Sequence, residues 1–329
     1  MGKFSDIVGH EQIIQHLQNA ISLEKVSHAY IFEGEEGMGK NLLASAFAEA
    51  LQCEEKGAEA CMSCASCKKA ASGNHPDIIR ITHKNAGSIG VEDIREQLCG
   101  DILIRPYSSP YKIYIVDEAE KMTVQAQNAL LKTIEEPPAY GVILLLTTNS
   151  GVFLPTIISR CVTLKLKPLR EEQIRHYLME KKQIPDYQAD ICAAFARGNL
   201  GKACSLAGSE SFSAIKEHAL YLVKHAREMD IYEIIESVKS VSEVKLEVSD
   251  YLDLLMVWYR DVLLFKATRQ AGALIFADEV QDIMVAASKS SYEGLENILK
   301  ALEKAKVRLN ANVNFDLTME LLFLTIKEN

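Results

Sequence analysis

The chain has 329 residues, of which 48% are hydrophobic and 25% are charged, and its formal net charge is −9. This composition is typical of a globular protein, and the length allows two or three domains. No apolar run approaches the roughly 18 residues of a membrane span, and no signal-peptide core follows Met1, so the cytoplasm is the expected compartment. The acidic balance disfavours strong DNA binding by the chain alone, because such proteins usually carry a basic stripe.

Strand-like and helix-like stretches alternate in the first half of the chain. Strands are predicted at 29–34, 76–82, 112–120, 141–149 and 162–167. A helix is predicted at 40–51, where apolar residues recur at helical spacing, and another between Thr123, a typical N-cap, and Pro137. This alternation indicates an α/β domain with a mostly parallel sheet.

Beyond Pro168 the strand signals largely stop. Helices are predicted at 170–184 and 187–196, followed by a glycine-rich joint at 197–208. From residue 209 onward the periodicity is mainly that of amphipathic helices. The expected domains are therefore an α/β nucleotide-binding fold at 1–168, a small helical domain at 169–208 and an all-helical domain at 209–329.

A glycine-rich loop, GEEGMGKN at 34–41, separates the first predicted strand from the helix that follows it. It matches the phosphate-binding pattern G-x-x-x-x-G-K-[ST] except at its last position, where the pattern has a hydroxyl for Mg²⁺. The glycines let backbone N–H groups turn toward phosphate, and the lysine reaches the β and γ oxygens. This context favours a phosphate loop over a chance turn. The predicted phosphate-binding residues are Gly34, Gly37, Gly39, Lys40 and Asn41.

Nucleotide hydrolysis also needs a carboxylate near Mg²⁺ and a group that orients the attacking water. After the hydrophobic stretch IYIV, Asp117 is the candidate for the metal and Glu118 for the water. Thr148 and Asn149 end the strand predicted at 141–149, and they are candidates for contact with the γ-phosphate or the water. The alternative for these two residues is that they cap the strand terminus.

Four of the eight cysteines crowd into one short segment, with the spacing Cys53-x7-Cys61-x2-Cys64-x2-Cys67. In a chain without an export signal this favours metal over disulfide bonds. Four thiolates suit tetrahedral Zn²⁺ at about 2.3 Å, although an iron–sulfur cluster also accepts four cysteines. Nothing else indicates redox chemistry, so zinc ranks first. With no open coordination position the zinc would be structural, in a module at about 53–72.

These features together resemble the ATPase-fold subunits of the bacterial DNA polymerase III clamp loader. The matching stretches are FSDIVGHEQIIQHL (4–17), SHAYIFEGEEGMGK (27–40), the four cysteines, VDEAEKMT (116–123), NALLKTIEEPP (128–138), LLTTN (145–149) and PTIISRC (155–161). The resemblance implies an AAA+ domain with a zinc-bearing insertion, a three-helix lid and a C-terminal collar that joins five subunits in an open ring. It also places Val8 and Gly9 near the adenine of a nucleotide. By the same resemblance Arg160 is an arginine finger that reaches the nucleotide of the neighbouring subunit.

Departures from the family pattern distinguish between its members. Motor subunits of the gamma/tau type have a hydroxyl where this chain has Asn41, and a lid arginine where it has Gly201. Lys202, beside Gly201, substitutes only in part, because it lacks the planar two-pronged donor of arginine. Motor subunits also often extend well past the collar.

This pattern, with Arg160 retained, favours the delta-prime branch of the family. The resemblance then implies a subunit with weak or absent ATPase of its own, in a hetero-pentamer with gamma/tau and delta. That complex loads the sliding clamp onto primed DNA, and nucleotidyl transfer belongs to the polymerase holoenzyme. ATP with Mg²⁺ is an expected but weak ligand. The alternative is an active gamma/tau-type motor ATPase, and a weaker one is another P-loop nucleic-acid remodelling protein.

Overall fold

The computed structural model describes residues 2–83, 85, 87–243, 248–311 and 313–329. Its strands are β1 (Ala29–Glu33), β2 (Ile78–Arg80), β3 (Lys112–Val116), β4 (Gly141–Thr147) and β5 (Val162–Lys165). Its first helices are α1 (Glu11–Ser22), α2 (Lys40–Leu51), α3 (Ala65–Ala71), α4 (Val91–Ile94), which continues as a π-helical turn at Arg95–Gly100, α5 (Val124–Glu135) and α6 (Pro155–Ile158). The later helices are α7 (Glu171–Lys182), α8 (Asp186–Ala196), α9 (Leu200–Ala207), α10 (Glu210–His225), α11 (Ile231–Glu243), α12 (Val248–Thr268), α13 (Val280–Lys289), α14 (Tyr292–Asn310) and α15 (Phe315–Glu328).

The five strands form one sheet in the order β2-β3-β4-β1-β5, and all four pairings are parallel. Alternate residues of β1 enter different apolar clusters, because successive side chains of a strand point to opposite faces. Tyr30 and Phe32 pack with Phe47 of α2, whereas Ile31 packs with Leu130 of α5. Both faces of the sheet are therefore covered, as the continuous apolar strand β4 requires. The predicted α/β fold with a parallel sheet is confirmed.

The chain divides into two compact units. The first comprises Met1–Gln173 with Gly198–Gly201, and it holds the sheet and its helices. The second comprises Ile174–Arg197 with Lys202–Asn329, and its described part is helical. In the second unit, α12 buries Trp258 against Phe276, with ring centroids 5.7 Å apart. The three-domain division at 168 and 208 stays a prediction.

The local predictions agree with most of these elements. Helix α2 has the predicted bounds, and Thr123 caps α5 by accepting a hydrogen bond from the Ala126 N–H at 3.2 Å. The joint predicted at 197–208 is wrong for most of its length, because α9 occupies Leu200–Ala207. The glycines of this segment favoured a joint in the prediction, although Ala203 and Leu206 are buried at helical spacing. None of the described helices combines the length and apolar character that a bilayer span needs.

Candidate functional site

The glycine-rich loop between β1 and α2 has the backbone conformation that its sequence predicts. Gly37 and Gly39 have φ angles of +83° and +96°, which other residue types rarely adopt. The Lys40 ammonium donates hydrogen bonds to the Gly34 carbonyl at 2.7 Å and to the Glu35 carbonyl at 3.0 Å. The lysine therefore folds back over the loop, close to where a bound phosphate would lie in a phosphate loop.

Three carboxylates act electrostatically on the Lys40 ammonium. Partial burial lowers the pKa of Lys40, and the negative charges of Glu120, Asp117 and Glu36 oppose that shift. The net pKa remains below the ordinary value because burial is the largest influence. The sequence prediction included Asp117 but missed Glu120, whose carboxylate also lies near the loop.

Asn41 contacts the carboxylate that was predicted to serve Mg²⁺. Its amide nitrogen donates a hydrogen bond to Asp117 Oδ2 at 2.9 Å. Its amide oxygen lies 3.2 Å from Ser45 Oγ and shares that hydroxyl's single proton with the nearer Asn41 backbone carbonyl, which is 2.6 Å away. A neutral N–H donor is thus bonded to the carboxylate that would bind the metal in a Walker-type site. In this structure the oxygen is turned along α2, away from Asp117.

The residues predicted to handle the attacking water make other contacts. Glu118 has a left-handed backbone (φ +48°), and its carboxylate pairs with the Lys121 ammonium at 2.7 Å. Thr148 Oγ1 donates to Glu120 Oε1 at 2.9 Å. Asn149 accepts a hydrogen bond from the Gly151 N–H at 2.8 Å and so caps a short 3₁₀ turn. The predicted contact of Thr148 and Asn149 with the γ-phosphate or the water stays a prediction.

Glu120 is held ionised by its neighbours. Burial raises its pKa, but hydrogen bonds, including those from the Thr148 hydroxyl and N–H, outweigh burial, and the net pKa lies below the ordinary value. Asp117, Glu118 and Glu120 all follow the end of β3 closely in the sequence. Their spacing alone did not reveal which of them would act most strongly on Lys40.

The segment at 198–201 packs on the outer side of the phosphate loop. Asn199 Nδ2 donates to the Glu36 carbonyl at 2.6 Å, and the Gly201 N–H donates to the Gly37 carbonyl at 3.0 Å. A Cβ atom on Gly201 would lie 2.6 Å from the Gly37 carbonyl oxygen and 2.7 Å from its Cα. Position 201, where motor subunits were expected to carry arginine, therefore has no room for a side chain in this arrangement.

Gly201→Ala is expected to push the 198–201 segment off the phosphate loop. The new methyl group would meet rigid backbone, and overpacking of this kind costs roughly 1–3 kcal/mol. Hydrogen exchange of the backbone at 34–41 should therefore become faster than in the wild type. Gly208→Ala is the matched control, because its Cβ meets nothing closer than 3.6 Å. Equal exchange in the two variants would contradict the packing role of Gly201.

Lys202 lies in the second unit. Its ammonium is 3.7 Å from Asp250 Oδ1 on α12. Its predicted contact with nucleotide stays a prediction.

Val8 and Gly9 precede α1. Gly9 is buried with a φ of +69°, and a Cβ atom there would lie 2.2 Å from Leu169 Cδ2, so only glycine fits. Val8 is half-buried. The next residue, His10, contacts the Met38 carbonyl through Nε2 at 3.1 Å, and burial lowers the pKa of His10. The neutral imidazole thus ties this segment to the phosphate loop.

Arg160 presents its guanidinium at the surface beyond α6. Nη2 lies 3.1 Å from Glu135 Oε1, and Nη1 donates to the Thr156 carbonyl at 3.1 Å and to Ser159 Oγ at 3.3 Å. The side chain remains 40% exposed. Glu135, at the end of α5, was not predicted as a functional residue. These contacts orient the guanidinium while leaving it accessible.

The four predicted cysteines come together. Their sulfur atoms all lie within 4.8 Å of one another, and a tetrahedral zinc site places its sulfurs roughly 4 Å apart. Backbone N–H groups of Cys61, Cys64 and Cys67 point at the sulfurs of Cys53, Cys61 and Cys64, with N···S distances of 3.3–3.4 Å. Such N–H···S contacts stabilise metal-bound thiolates and orient them.

The electrostatics of Cys61 suit a thiolate ligand. Hydrogen bonds from Ser63 Oγ and from the Cys64 N–H lower the pKa of the Cys61 thiol to about 6. Cys64 also caps α3, because its sulfur accepts the Cys67 N–H. Sulfur donors, spacing and backbone support therefore all fit a closed tetrahedral metal centre.

The cysteine cluster is fastened to the sheet by polar side chains. Ser66 Oγ donates to the Gln52 carbonyl at 2.6 Å, and Gln52 Nε2 donates to the Tyr111 carbonyl at 2.6 Å. The buried Asp77 carboxylate accepts the N–H groups of Tyr107 and Ser108 at 2.6 and 2.9 Å. These anchors do not use the cysteine sulfurs.

Comparisons with known proteins identify relatives of this chain. A family model described as "DNA polymerase III, delta subunit" matches residues 9–170, and one described as its C-terminal part matches residues 221–328. DNA polymerase III subunit delta' of Bacillus subtilis is 35% identical over 320 residues, which cover 96% of each chain. Subunit tau of the same organism is 35% identical, over 80% of this chain and 50% of tau.

A solved structure is also similar. It is that of a gamma subunit-related protein of Thermotoga maritima, with 22% identity, a TM-score of 0.47, and coverage of 96% of this chain and 98% of that one.

The similarity to subunit delta' runs through both units and is accompanied by the departures at Asn41 and Gly201. The chain therefore belongs to the delta' family of DNA polymerase III subunits.

Proposed function

We propose that this chain is a structural subunit of a clamp loader that completes a neighbour's ATP site and hydrolyses little or no ATP itself. The observation that carries this proposal is a contrast between two sites. At the chain's own phosphate loop, the Asn41 amide donates a hydrogen bond to Asp117, and Gly201 packs so closely on the Gly37 backbone that no side chain fits there. Arg160, by comparison, is oriented and left accessible.

The chain's own site lacks groups that phosphoryl transfer uses. Such transfer needs Mg²⁺ on a loop hydroxyl and an acidic residue, together with cations that brace the developing negative charge. Here the loop residue is Asn41, its amide donates to Asp117, and position 201 carries no side chain. We therefore infer that Mg-ATP binds weakly and that hydrolysis is slow or absent, with Lys40 and the loop N–H groups as the remaining phosphate ligands.

Arg160 is the side chain that we propose acts on the ATP site of a neighbouring subunit. A guanidinium is permanently charged and has a planar fork, so it stabilises charge on a transferring phosphoryl group. The proposed partners are gamma/tau and delta subunits in a hetero-pentamer, which would load a sliding clamp onto primed DNA. The proposed location is the cytoplasm, where that DNA lies.

We further propose that Cys53, Cys61, Cys64 and Cys67 hold one structural Zn²⁺. All four positions of a tetrahedral ion would be filled by protein, so no water could bind for chemistry. Zinc is favoured over an iron–sulfur cluster because no other feature of the site suggests electron transfer.

The alternative function is that of an active motor ATPase of the gamma/tau type. The conformations of Gly37 and Gly39, the position of Lys40 and the presence of Asp117 and Glu118 favour it. Phosphate release by the purified chain at saturating Mg-ATP distinguishes the two functions. Release at motor-like rates would favour the alternative. Release at background rates, with co-purification of clamp-loader subunits from native extract, would favour the structural subunit.

Asn41→Thr is expected to strengthen Mg-ATP binding by roughly fivefold or more, which corresponds to about 1 kcal/mol. The change supplies the hydroxyl that phosphate loops present to the metal, and it frees the Asp117 carboxylate from the amide. Isothermal titration of the wild type and the variant with Mg-ATP measures the effect. Asn41→Ala is the control, because it frees Asp117 without adding a hydroxyl.

Hydrolysis need not recover in Asn41→Thr, because position 201 still lacks its arginine. Equal or weaker Mg-ATP affinity in this variant would show that Asn41 is not the defect. Equal gains in the Thr and Ala variants would assign the defect to the bond between Asn41 and Asp117 alone.

A further inference from the structure

A cavity of about 230 Å³ lies in the first unit between the phosphate-loop helix α2 and the edge strand β2. Its wall includes Ser45, Ala48 and Glu49 of α2, Ile78 and Arg80 of β2, and Ala70 of α3. An engineered apolar cavity of roughly 150 Å³ in another protein accepts benzene, so this space admits a molecule of ring size. It is separate from the loop residues and from the cysteine sulfurs described above.

The wall contains one polar group that the described residues leave unsatisfied. Glu49 is 2% exposed, and neither of its carboxylate oxygens has a hydrogen-bond partner among the described residues. Its neighbours Ala46, Ala48 and Ala50 are apolar, and packing alone would favour an apolar residue at position 49 as well. A buried carboxylate is unfavourable unless it is paired. Burial raises the pKa of Glu49, and the positive charges of the N-terminal amine and of Arg80 oppose that shift without removing it.

The other polar side chains of the wall already have partners. Ser45 Oγ donates to the Asn41 carbonyl at 2.6 Å and accepts from Arg80 Nη2 at 2.8 Å. His75 accepts the Asp77 N–H through Nδ1 at 3.1 Å, and its Nε2 lies 3.0 Å from Ser66 Oγ. Glu49 is thus the side chain of this wall whose polar atoms are all left without a hydrogen-bond partner among the described residues.

Charge and shape restrict the ligand. A carboxylate with two free oxygens matches a planar fork of two N–H donors, which gives two parallel charge-assisted hydrogen bonds. Arg80 adds a positive charge to the same wall, so a polycation is disfavoured. The apolar surfaces of Ala48, Ala70 and Ile78 suit the flat faces of a small ring.

We propose that this cavity is a binding site for a compact planar molecule with two adjacent N–H donors, of the amidine type, and that Glu49 is its main polar contact. Through Arg80 and Ser45 the site is connected by hydrogen bonds to Asn41 and hence to Asp117. The proposal concerns a site in the first unit and does not depend on the role of Arg160.

Benzamidine is the probe for this site, and benzonitrile is its isostere without N–H donors. The protein, purified without chelator, is titrated with each compound while the methyl signals of Ala48, Ala70, Ile78 and Ile115 are followed by NMR. We expect benzamidine to shift these methyl signals and benzonitrile to leave them unchanged. Glu49→Gln should weaken benzamidine binding at least about tenfold, because a charge-assisted pair is replaced by a neutral contact.

Ala70→Leu is a second variant, which fills the cavity and keeps Glu49. It should abolish the benzamidine shifts, whereas Glu49→Gln should fold with unchanged metal content and at least equal thermal stability, since a buried carboxylate is removed. Benzamidine that shifts no cavity methyl would overturn the proposal. Equal affinity of Glu49→Gln, or equal binding of benzonitrile, would also overturn it by showing a cavity without polar recognition.

Discussion

Arg160→Ala should remove most of the ATPase activity of the one site that this chain faces in an assembled clamp loader. Arginine fingers contribute roughly 10³–10⁵ in rate at an isolated site. Other active sites in the complex would retain their activity, so total phosphate release should fall by less than that factor. Clamp loading should fall with it. Steady-state ATPase and clamp loading by reconstituted complexes measure both effects.

The fold and the chain's own nucleotide affinity should survive the Arg160→Ala change. The ion pair with Glu135 is 40–45% exposed, and exposed pairs stabilise proteins by at most about 1 kcal/mol. Arg160→Lys should rescue poorly, because an ammonium lacks the planar fork. Arg95→Ala, which changes an exposed arginine of the same unit, is the control and should leave the complex unaffected. Unchanged activity in an intact Arg160→Ala complex would show that Arg160 does not act across the subunit boundary.

Loss of the metal centre is the second large effect we expect. Elemental analysis should give one zinc per chain, and Cys64→Ser should reduce it to near zero. Structural zinc sites in small peptides bind with roughly 10–16 kcal/mol of apparent free energy, which is coupled to folding of the surrounding chain. Hydrogen exchange at 53–72 should therefore become much faster in the variant.

The remainder of the protein should stay folded without the zinc. Gln52, beside Cys53, holds the base of the cluster through hydrogen bonds to the Asp77 and Tyr111 carbonyls, and these bonds do not involve sulfur. Exchange in the second unit should be unchanged. Cys99→Ser, outside the cluster, is the control and should keep its zinc. A protein purified without chelator that contains no zinc, or mostly iron, would contradict the assignment.

The local sequence predicted those features that depend on neighbouring residues in the chain. Helix α2 follows from apolar residues at helical spacing after a glycine-rich loop, and its bounds were predicted correctly. The cysteine cluster follows from spacing, because three cysteines separated by two residues each can turn toward one point. Thr123 was predicted as a cap from its residue type and position, and its hydroxyl makes that contact.

What the sequence did not predict depends on contacts between distant residues. Asn199 bonds to Glu36 across 163 positions, and nothing near Asn199 indicates it. The orientation of the Asn41 amide is set by Asp117, which is 76 positions away. Glu135 has no sequence feature that separates it from other charged residues at helix ends, and its role follows from its ion pair with Arg160. The helix α9 was mistaken for a joint because glycine frequency outweighed two buried apolar residues.

The central claim is that this chain contributes an arginine to a neighbour's site while its own phosphate loop does no essential hydrolysis. The most direct test is the clamp-dependent phosphate release of a reconstituted complex in which this chain carries Lys40→Ala. Removing the lysine disables any hydrolysis at this loop, since it carries the positive charge for the phosphates. We expect the same rate as in the wild-type complex, in contrast to the fall with Arg160→Ala. A comparable fall with Lys40→Ala, in a complex that still assembles, would show that this chain is itself a working ATPase.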